Sequence, residues 1–245
     1  MTTDPPPPRR KWHFTRWLIV LIIATFGWSG WRAYAFRSAL KQAKALGWRV
    51  GYTDPTNEIR RNWKAAFKKE TWLDGMKWLV IPTSGDLRRN LSTAHRLNPM
   101  ALTIRHAEAL RDLSTLSGLT RLQKIDLIHC TRLTNVDALI NLSDLQRVLL
   151  DNCTDLTNVD GLKNLSALKF VRITGCSGIT NVDALKSLSA LQEVYLMSCK
   201  GLTNVDALKN LPALREVWLN GSTGLTKESI AALKAALPNA RIIGP

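Results

Sequence analysis

The stretch Leu156-Thr157-Asn158-Val159-Asp160-Gly161-Leu162, followed by Leu165, Leu168, Val171, Ile173 and Cys176, decides the fold. The pattern starts again at Ile179, at Leu202 and, with a changed tail, at Leu225; earlier copies start at Leu133 and, less perfectly, at Leu110. Each start lies 23 residues after the last, and Cys130, Cys153, Cys176 and Cys199 keep the same interval. A fixed period of this size marks a solenoid, in which each unit buries its apolar face only against its neighbours.

Inside a unit two periodicities alternate. Val148 and Leu150 alternate with Arg147, Leu149 and Asp151, the period of a short strand with one face buried. From Leu156 the apolar residues fall at every third position, Val159, Leu162, Leu165 and Leu168, which suits a 3₁₀-like or extended return better than a full helix. Counting in steps of 23 places equivalent strand pairs at Leu79/Ile81, Leu102/Ile104, Ile125/Leu127, Val171/Ile173, Val194/Leu196, Val217/Leu219 and Ala240/Ile242. Ser84 and Ala107 occupy the cysteine column in the first two units. After Leu225 the usual Asn-Val-Asp-Ala becomes Lys227-Glu-Ser-Ile, so Thr226 is placed to cap a helix over 227–237 that Pro238 ends. Arg241 to Ile243 then forms the final strand.

This spacing resembles the leucine-rich repeat in the short bacterial form of internalin-like proteins, with cysteine where many such repeats carry asparagine. The resemblance covers residues 79–245. It implies an α/β solenoid with parallel strands on a concave face, a 3₁₀ or extended convex side, and helical caps, the C-terminal one from residue 226.

The preceding residues divide into three parts. Residues 1–16 are polar and proline-rich, with Pro5 to Pro8 ahead of Arg9, Arg10, Lys11 and Arg16, and read as a disordered cytoplasmic tail. Residues 17–36 read as a transmembrane helix or signal anchor. Trp17 to Trp31 carries no charge and has tryptophan at both ends, as in an interfacial belt. At 1.5 Å per residue it spans about 22 Å, and Ala33 to Phe36 extend it toward a ~30 Å hydrocarbon core if Arg32 snorkels. Ala33-Tyr34-Ala35 also has the small-x-small form of a signal-peptide cleavage site.

Residues 37–78 link the anchor to the repeats and cap them. They contain a helix from Ser38 to Leu46, a short strand in Trp48 to Tyr52, and an amphipathic stretch from Ile59 to Phe67. This block resembles the N-terminal part of membrane-anchored leucine-rich repeat proteins of planctomycete-type bacteria.

The net charge of +15 is unevenly spread: residues 1–99 hold 18 Lys/Arg against 6 Asp/Glu, and the rest hold 16 against 13. The excess sits beside the hydrophobic segment, where it suits a membrane surface. No basic stripe interleaved with aromatics runs through the repeats, which argues against a nucleic-acid partner.

Catalytic, metal and cofactor chemistry lacks a constellation. The cysteines fall in one column, one strand spacing apart, and are expected to be a structural column of free, buried thiols. They form no C-x-x-C pair, and a straight row does not make a tetrahedral site. His13, His95, His106 and His129 share no grouping with a nucleophile or carboxylate. The columns Asn135, Asn158, Asn181, Asn204 and Asp137, Asp160, Asp183, Asp206 suit bonds to turn backbone. One carboxylate per unit is too few oxygens for Ca²⁺.

Positions that the framework leaves free say more about function. Along the middle of the outward strand face stand Thr103, Asp126, Leu149, Arg172, Tyr195, Trp218 and Arg241. On one side lie Lys124, Arg147, Phe170, Glu193 and Glu216, and on the other Ile128, Asp151, Thr174, Met197 and Asn220. Leu149, Phe170, Arg172, Tyr195, Met197 and Trp218 are the expected partner-binding residues: an exposed apolar patch of Leu149, Phe170, Tyr195, Met197 and Trp218 with charges around it, Arg172 standing in its middle column.

These residues lead to the expectation of a monomeric, membrane-anchored binding module for a protein ligand, not an enzyme and without a cofactor. It is held by one span in the cell membrane with its repeats on the extracytoplasmic side. The competing class is an exported, signal-cleaved envelope protein without a specific partner.

Overall fold

The structure, a computed structural model, describes residues 37–39, 41–45, 49–51, 78–81, 94 and 97–245. Nine strands form one sheet in chain order: β1 (Arg49–Gly51), β2 (Trp78–Ile81), β3 (Ala101–Arg105), β4 (Lys124–Ile128), β5 (Arg147–Asp151), β6 (Phe170–Thr174), β7 (Glu193–Met197), β8 (Glu216–Trp218) and β9 (Arg241–Ile243). β1 runs antiparallel to β2, and every later pair is parallel. The short strand expected around Trp48 to Tyr52 is therefore the antiparallel edge of the sheet. Residues 37–39 and 41–45 are helical, with Ala39 and Ala43 buried, in agreement with the helix expected from Ser38.

Alternation along the strands produces the layer beneath. Ile125, Leu127, Val148, Leu150, Val171, Ile173, Val194 and Leu196 point inward and are fully buried. The return path packs against them through Leu156, Val159, Leu162, Leu165 and Leu168. The three-residue spacing has a direct hydrogen-bond cause. Leu156 N donates to Cys153 O at 3.2 Å, Leu162 N to Val159 O at 2.9 Å, Leu165 N to Leu162 O at 3.4 Å and Leu168 N to Leu165 O at 2.9 Å. On either side of the Leu156–Val159 step, successive apolar residues are thus linked by i to i−3 bonds, and each bond turns the next side chain inward. Full burial of one such leucine contributes roughly 1.5–3 kcal/mol.

Polar columns hold the turns. Asn135 Oδ1 accepts from Asp137 N, and Asn158, Asn181 and Asn204 repeat the bond with Asp160, Asp183 and Asp206. Each starts a 3₁₀ turn: Asp137–Leu139, Asp160–Leu162, Asp183–Leu185 and Asp206–Leu208. Threonines tie neighbouring units, with Thr157 Oγ1 donating to Thr134 O and Thr203 Oγ1 to Thr180 O, each across 23 residues.

The last unit departs from the expected register. Val217 pairs with Ile242 and Trp218 with Ile243, a step of 25 residues. The expected partners of Val217 and Leu219 were Ala240 and Ile242. The cause is the C-terminal helix, Lys227–Ala236, whose Thr226 Oγ1 accepts from Ser229 N at 3.1 Å. A ten-residue α-helix with Leu233 buried replaces the three-residue 3₁₀ turn of the other units, and its return needs two more residues. Arg241 consequently leaves the middle column, where it was expected, and pairs with Glu216.

The tail at 1–16, the hydrophobic segment at 17–36 and the amphipathic stretch at 59–67 lie outside the described residues. Among the described residues no helix is long and apolar enough to cross a membrane.

Candidate functional site

The outward sheet face, the concave one implied by the repeat, is set by register. From β3 to β7 each position repeats at 23 residues, so outward side chains line up across strands about 4.8 Å apart. The first column is Ala101, Lys124, Arg147, Phe170, Glu193, Glu216 and Arg241; the middle one is Thr103, Asp126, Leu149, Arg172, Tyr195, Trp218 and Ile243.

Three rings form a continuous stack. Phe170 and Tyr195 have centroids 5.3 Å apart and tilt by 32°, and Tyr195 and Trp218 stack at 5.9 Å with 18° between planes. The guanidinium of Arg147 sits 4.5 Å over the Phe170 ring, and that of Arg241 lies 5.5 Å from the Trp218 ring centre. The order from β5 to β9 is therefore cation, three rings, cation. Ring stacks and cation–π contacts each contribute about 0.5–1.5 kcal/mol.

Two carboxylates fix the rings from the side. Tyr195 Oη donates toward Glu193 Oε2 at 3.1 Å and Glu216 Oε2 at 3.3 Å, and Trp218 Nε1 donates to Glu216 Oε1 at 2.8 Å. Partial burial, then the two carboxylates, push the Tyr195 hydroxyl up to about 12.

Beyond the stack the face is built differently. Arg147 Nε lies 3.7 Å from Asp126 Oδ1, and Arg172 Nε lies 3.3 Å from Asp151 Oδ1 and 3.3 Å from Thr174 Oγ1. The two carboxylate oxygens are buried without an aligned hydrogen bond, so these pairs act through charge rather than directed bonding. Burial outweighs Arg147 and raises the Asp126 pKa above its usual 3.8.

Leu149 stands at the centre of this lattice. Asp126 and Arg172 flank it across the strands, and Arg147 and Asp151 stand two residues either side along its own strand. It was expected to be an exposed part of the patch; instead it is only 5% exposed. Its four same-face neighbours belong to two diagonal ion pairs, whose arginine stems cover its apolar surface while the paired aspartate oxygens are themselves buried. Phe170, Arg172, Tyr195, Met197 and Trp218 are half-buried on the outer face, and the structure brings Phe170, Tyr195 and Trp218 into direct contact.

Arg147, Glu193, Glu216 and Arg241 order the rings, yet none was singled out from the sequence as a site residue. A signal was present for two of them. Glu193 and Glu216 stand two residues before Tyr195 and Trp218, so each pair shares a strand face.

The cysteines are all free and fully buried. Each thiol points at carbonyls: Cys176 Sγ lies 3.6 Å from Leu150 O and from Thr174 O, and Cys199 Sγ lies 3.4 Å from Ile173 O and 3.5 Å from Met197 O. In the next unit Ser222 Oγ makes the equivalent bond to Leu196 O at 2.7 Å. Hydrogen bonding with Cys153, then burial, raises the Cys130 thiol pKa. For Cys153 the bond with Cys130 lowers the pKa, whereas the bond with Cys176 and burial raise it; the balance is a value pushed up to about 12. Burial raises Cys199 as well. Thiols held in this form are poor nucleophiles and poor metal ligands.

The residue ahead of the cysteine column ends each strand in the left-handed region. His106, His129, Asn152, Gly175, Ser198 and Gly221 have φ between 51° and 71°. This turns their N–H toward the next strand, as in His129 N to Asp151 O at 2.7 Å. It also stacks the exposed rings of His106 and His129, 4.8 Å apart and 5° from parallel. Among the described residues no group of three or more His, Cys, Asp or Glu is placed to hold a metal ion.

The fold class is thus a leucine-rich repeat solenoid: one strand, one left-handed turn and one 3₁₀ return per unit. No family model and no curated protein matches the chain. Solved structures do resemble it. The leucine-rich repeat domain of the type III effector XopL is 19% identical with a TM-score of 0.47, over 71% of this chain and 70% of that one. The TLR13–ssRNA13 complex is 18% identical with a TM-score of 0.47, over 67% of this chain but only 27% of that chain. The internalin C2 of Listeria monocytogenes is 24% identical with a TM-score of 0.34, over 63% of this chain and 82% of that chain. These likenesses carry nothing over to the function of this chain.

Proposed function

We propose that the chain is a membrane-anchored interaction module that holds a protein partner on its outer sheet face, over Phe170, Tyr195, Met197 and Trp218, with Arg172 at the margin. The observation that carries this reading is the ordered ring stack. Aromatic side chains held by Glu193 and Glu216 lose little freedom when a partner arrives, and large rigid rings with arginine are the side chains most often found at interface hot spots. The repeat does not require them, because the equivalent middle positions carry Asp126 and Thr103. The anchor rests on the uncharged segment from Trp17 to Trp31, with its N-terminus cytoplasmic and the repeats outside.

Two experiments test the two halves of the reading. Trp218→Ala is expected to weaken partner capture at least tenfold, with Lys163→Ala on the opposite side as control; equal capture by both variants contradicts the surface. Carbonate extraction is expected to leave the chain in the membrane pellet, and Ile22→Lys with Ile23→Lys to release it, since each central lysine costs about 2.5–3.5 kcal/mol on insertion. Release of the unchanged protein contradicts the anchor.

A further inference from the structure

The stack has five layers, and its faces are already covered. Tyr195 lies between Phe170 and Trp218, and the outer faces of those two rings carry Arg147 and Arg241. Ligands that need an open ring face therefore have no platform here: a nucleobase, a sugar ring or a methylated ammonium would have to displace a neighbouring ring or guanidinium. What remains for a partner is a rigid apolar ridge of ring edges, closed at each end by an arginine.

Charge on the ridge is not equally engaged. Glu193 and Glu216 share the single proton of Tyr195 Oη, and Glu216 also accepts from Trp218 Nε1 at 2.8 Å, so both carboxylates are drawn toward the rings. The arginines are held more loosely. Arg147 lies 3.7 Å from Asp126 and Arg241 lies 3.6 Å from Glu216, both beyond a normal N–H···O bond, and their side chains are 40% and 69% exposed. Arg147 faces Asp126 through Nε and Arg241 faces Glu216 through Nη1, and the remaining in-plane N–H groups of each guanidinium can meet a further carboxylate. The sign of the unfilled demand is thus positive at both ends. Four strand spacings separate β5 from β9, about 19 Å.

Resting on the reading of this face as a protein-binding surface, we infer that its occupant is a peptide segment with an apolar middle and acidic side chains at both ends. The segment lies across the strands from β5 to β9: its apolar residues cover Phe170, Tyr195 and Trp218, and its carboxylates meet Arg147 and Arg241. Such binding weakens with added salt, because the end contacts are exposed.

The test is selection of a displayed library of random 16-residue peptides on the full chain in detergent micelles. Expected are sequences with an apolar core flanked on both sides by Asp or Glu. Their affinity should fall at least tenfold with Arg147→Gln plus Arg241→Gln. Selection on Arg147→Glu plus Arg241→Glu should instead yield Lys- or Arg-flanked cores. Both arginines are surface residues, and thermal midpoints near that of the parent confirm folded variants. Enriched peptides that are neutral or basic at their ends, yet lost with Trp218→Ala, overturn the acidic partner while leaving the surface intact. Peptides indifferent to Trp218→Ala overturn both. A selection with no enrichment over empty micelles also overturns the inference.

Discussion

The outer face from β4 to β6 and the outer face from β6 to β9 belong to one sheet, but they solve the same packing problem in opposite ways. In the first, Leu149 is closed over by the pairs Arg147–Asp126 and Arg172–Asp151 until only 5% of it is exposed. In the second, Phe170, Tyr195 and Trp218 stack on one another and stay half-exposed, with the carboxylates pushed to the side. An apolar residue among long opposite charges becomes part of the protein's own surface lattice. An apolar residue among other rings becomes a ridge left half-exposed. Exposure on this face is therefore a property of the neighbours rather than of the residue.

The largest break in that comparison comes from turning to the opposite sheet face. Leu150→Ala, at a fully buried position beside Leu149, should lower stability by about 2–5 kcal/mol. Leu149→Ala should cost about 1–2 kcal/mol, because the flexible arginine stems above it can settle into the space. Denaturant midpoints of the two variants check this, and equal losses would mean that the charged lattice packs as rigidly as the core.

Next in size is Trp218→Ala, expected to reduce stability by about 1–2 kcal/mol through loss of its ring stack, the Glu216 bond and the Arg241 contact. This exceeds what an unsupported surface ring would cost, and the partner affinity should fall further still. A thermal midpoint identical to the parent's would show that the stack forms only on binding.

The smallest effect concerns Asp126. Burial raises its pKa in the folded chain, so folding disfavours its ionised form. Stability linked to its proton is fully present below 3.8 and is lost as pH rises through the elevated folded value. Stability should therefore increase slightly as pH falls through that window, and Asp126→Asn should flatten that part of the profile. A wild-type profile that falls over the same window would mean that Arg147 dominates burial.

Most of the framework was readable from spacing alone. The 23-residue step, the inward strand pairs, the i to i−3 return and the cysteine column all follow from apolar periodicity, because in a solenoid each unit repeats the contacts of the last. Thiol reagents should find all four cysteines only after unfolding, as their burial and raised pKa values require. The period failed at the end, where a real helix in place of a 3₁₀ turn moved Arg241 out of the middle column. It also could not show that Leu149 is covered, since the cover comes from side chains on three different strands. The Tyr195 and Trp218 pair was visible as neighbours in one column, but the diagonal lean that brings in Phe170 is set by Glu193 and Glu216.

A partner seated on the ring ridge, as proposed, would lie within reach of a side chain at position 197. A photo-cross-linking residue, p-benzoylphenylalanine, placed at Met197 beside the ridge and separately at Lys163 on the opposite side, tests this in the full chain in living cells. One discrete protein adduct is expected from position 197, lost when Trp218→Ala is added, and none from position 163. Equal adducts from both positions, or an adduct at 197 that survives Trp218→Ala, would contradict it.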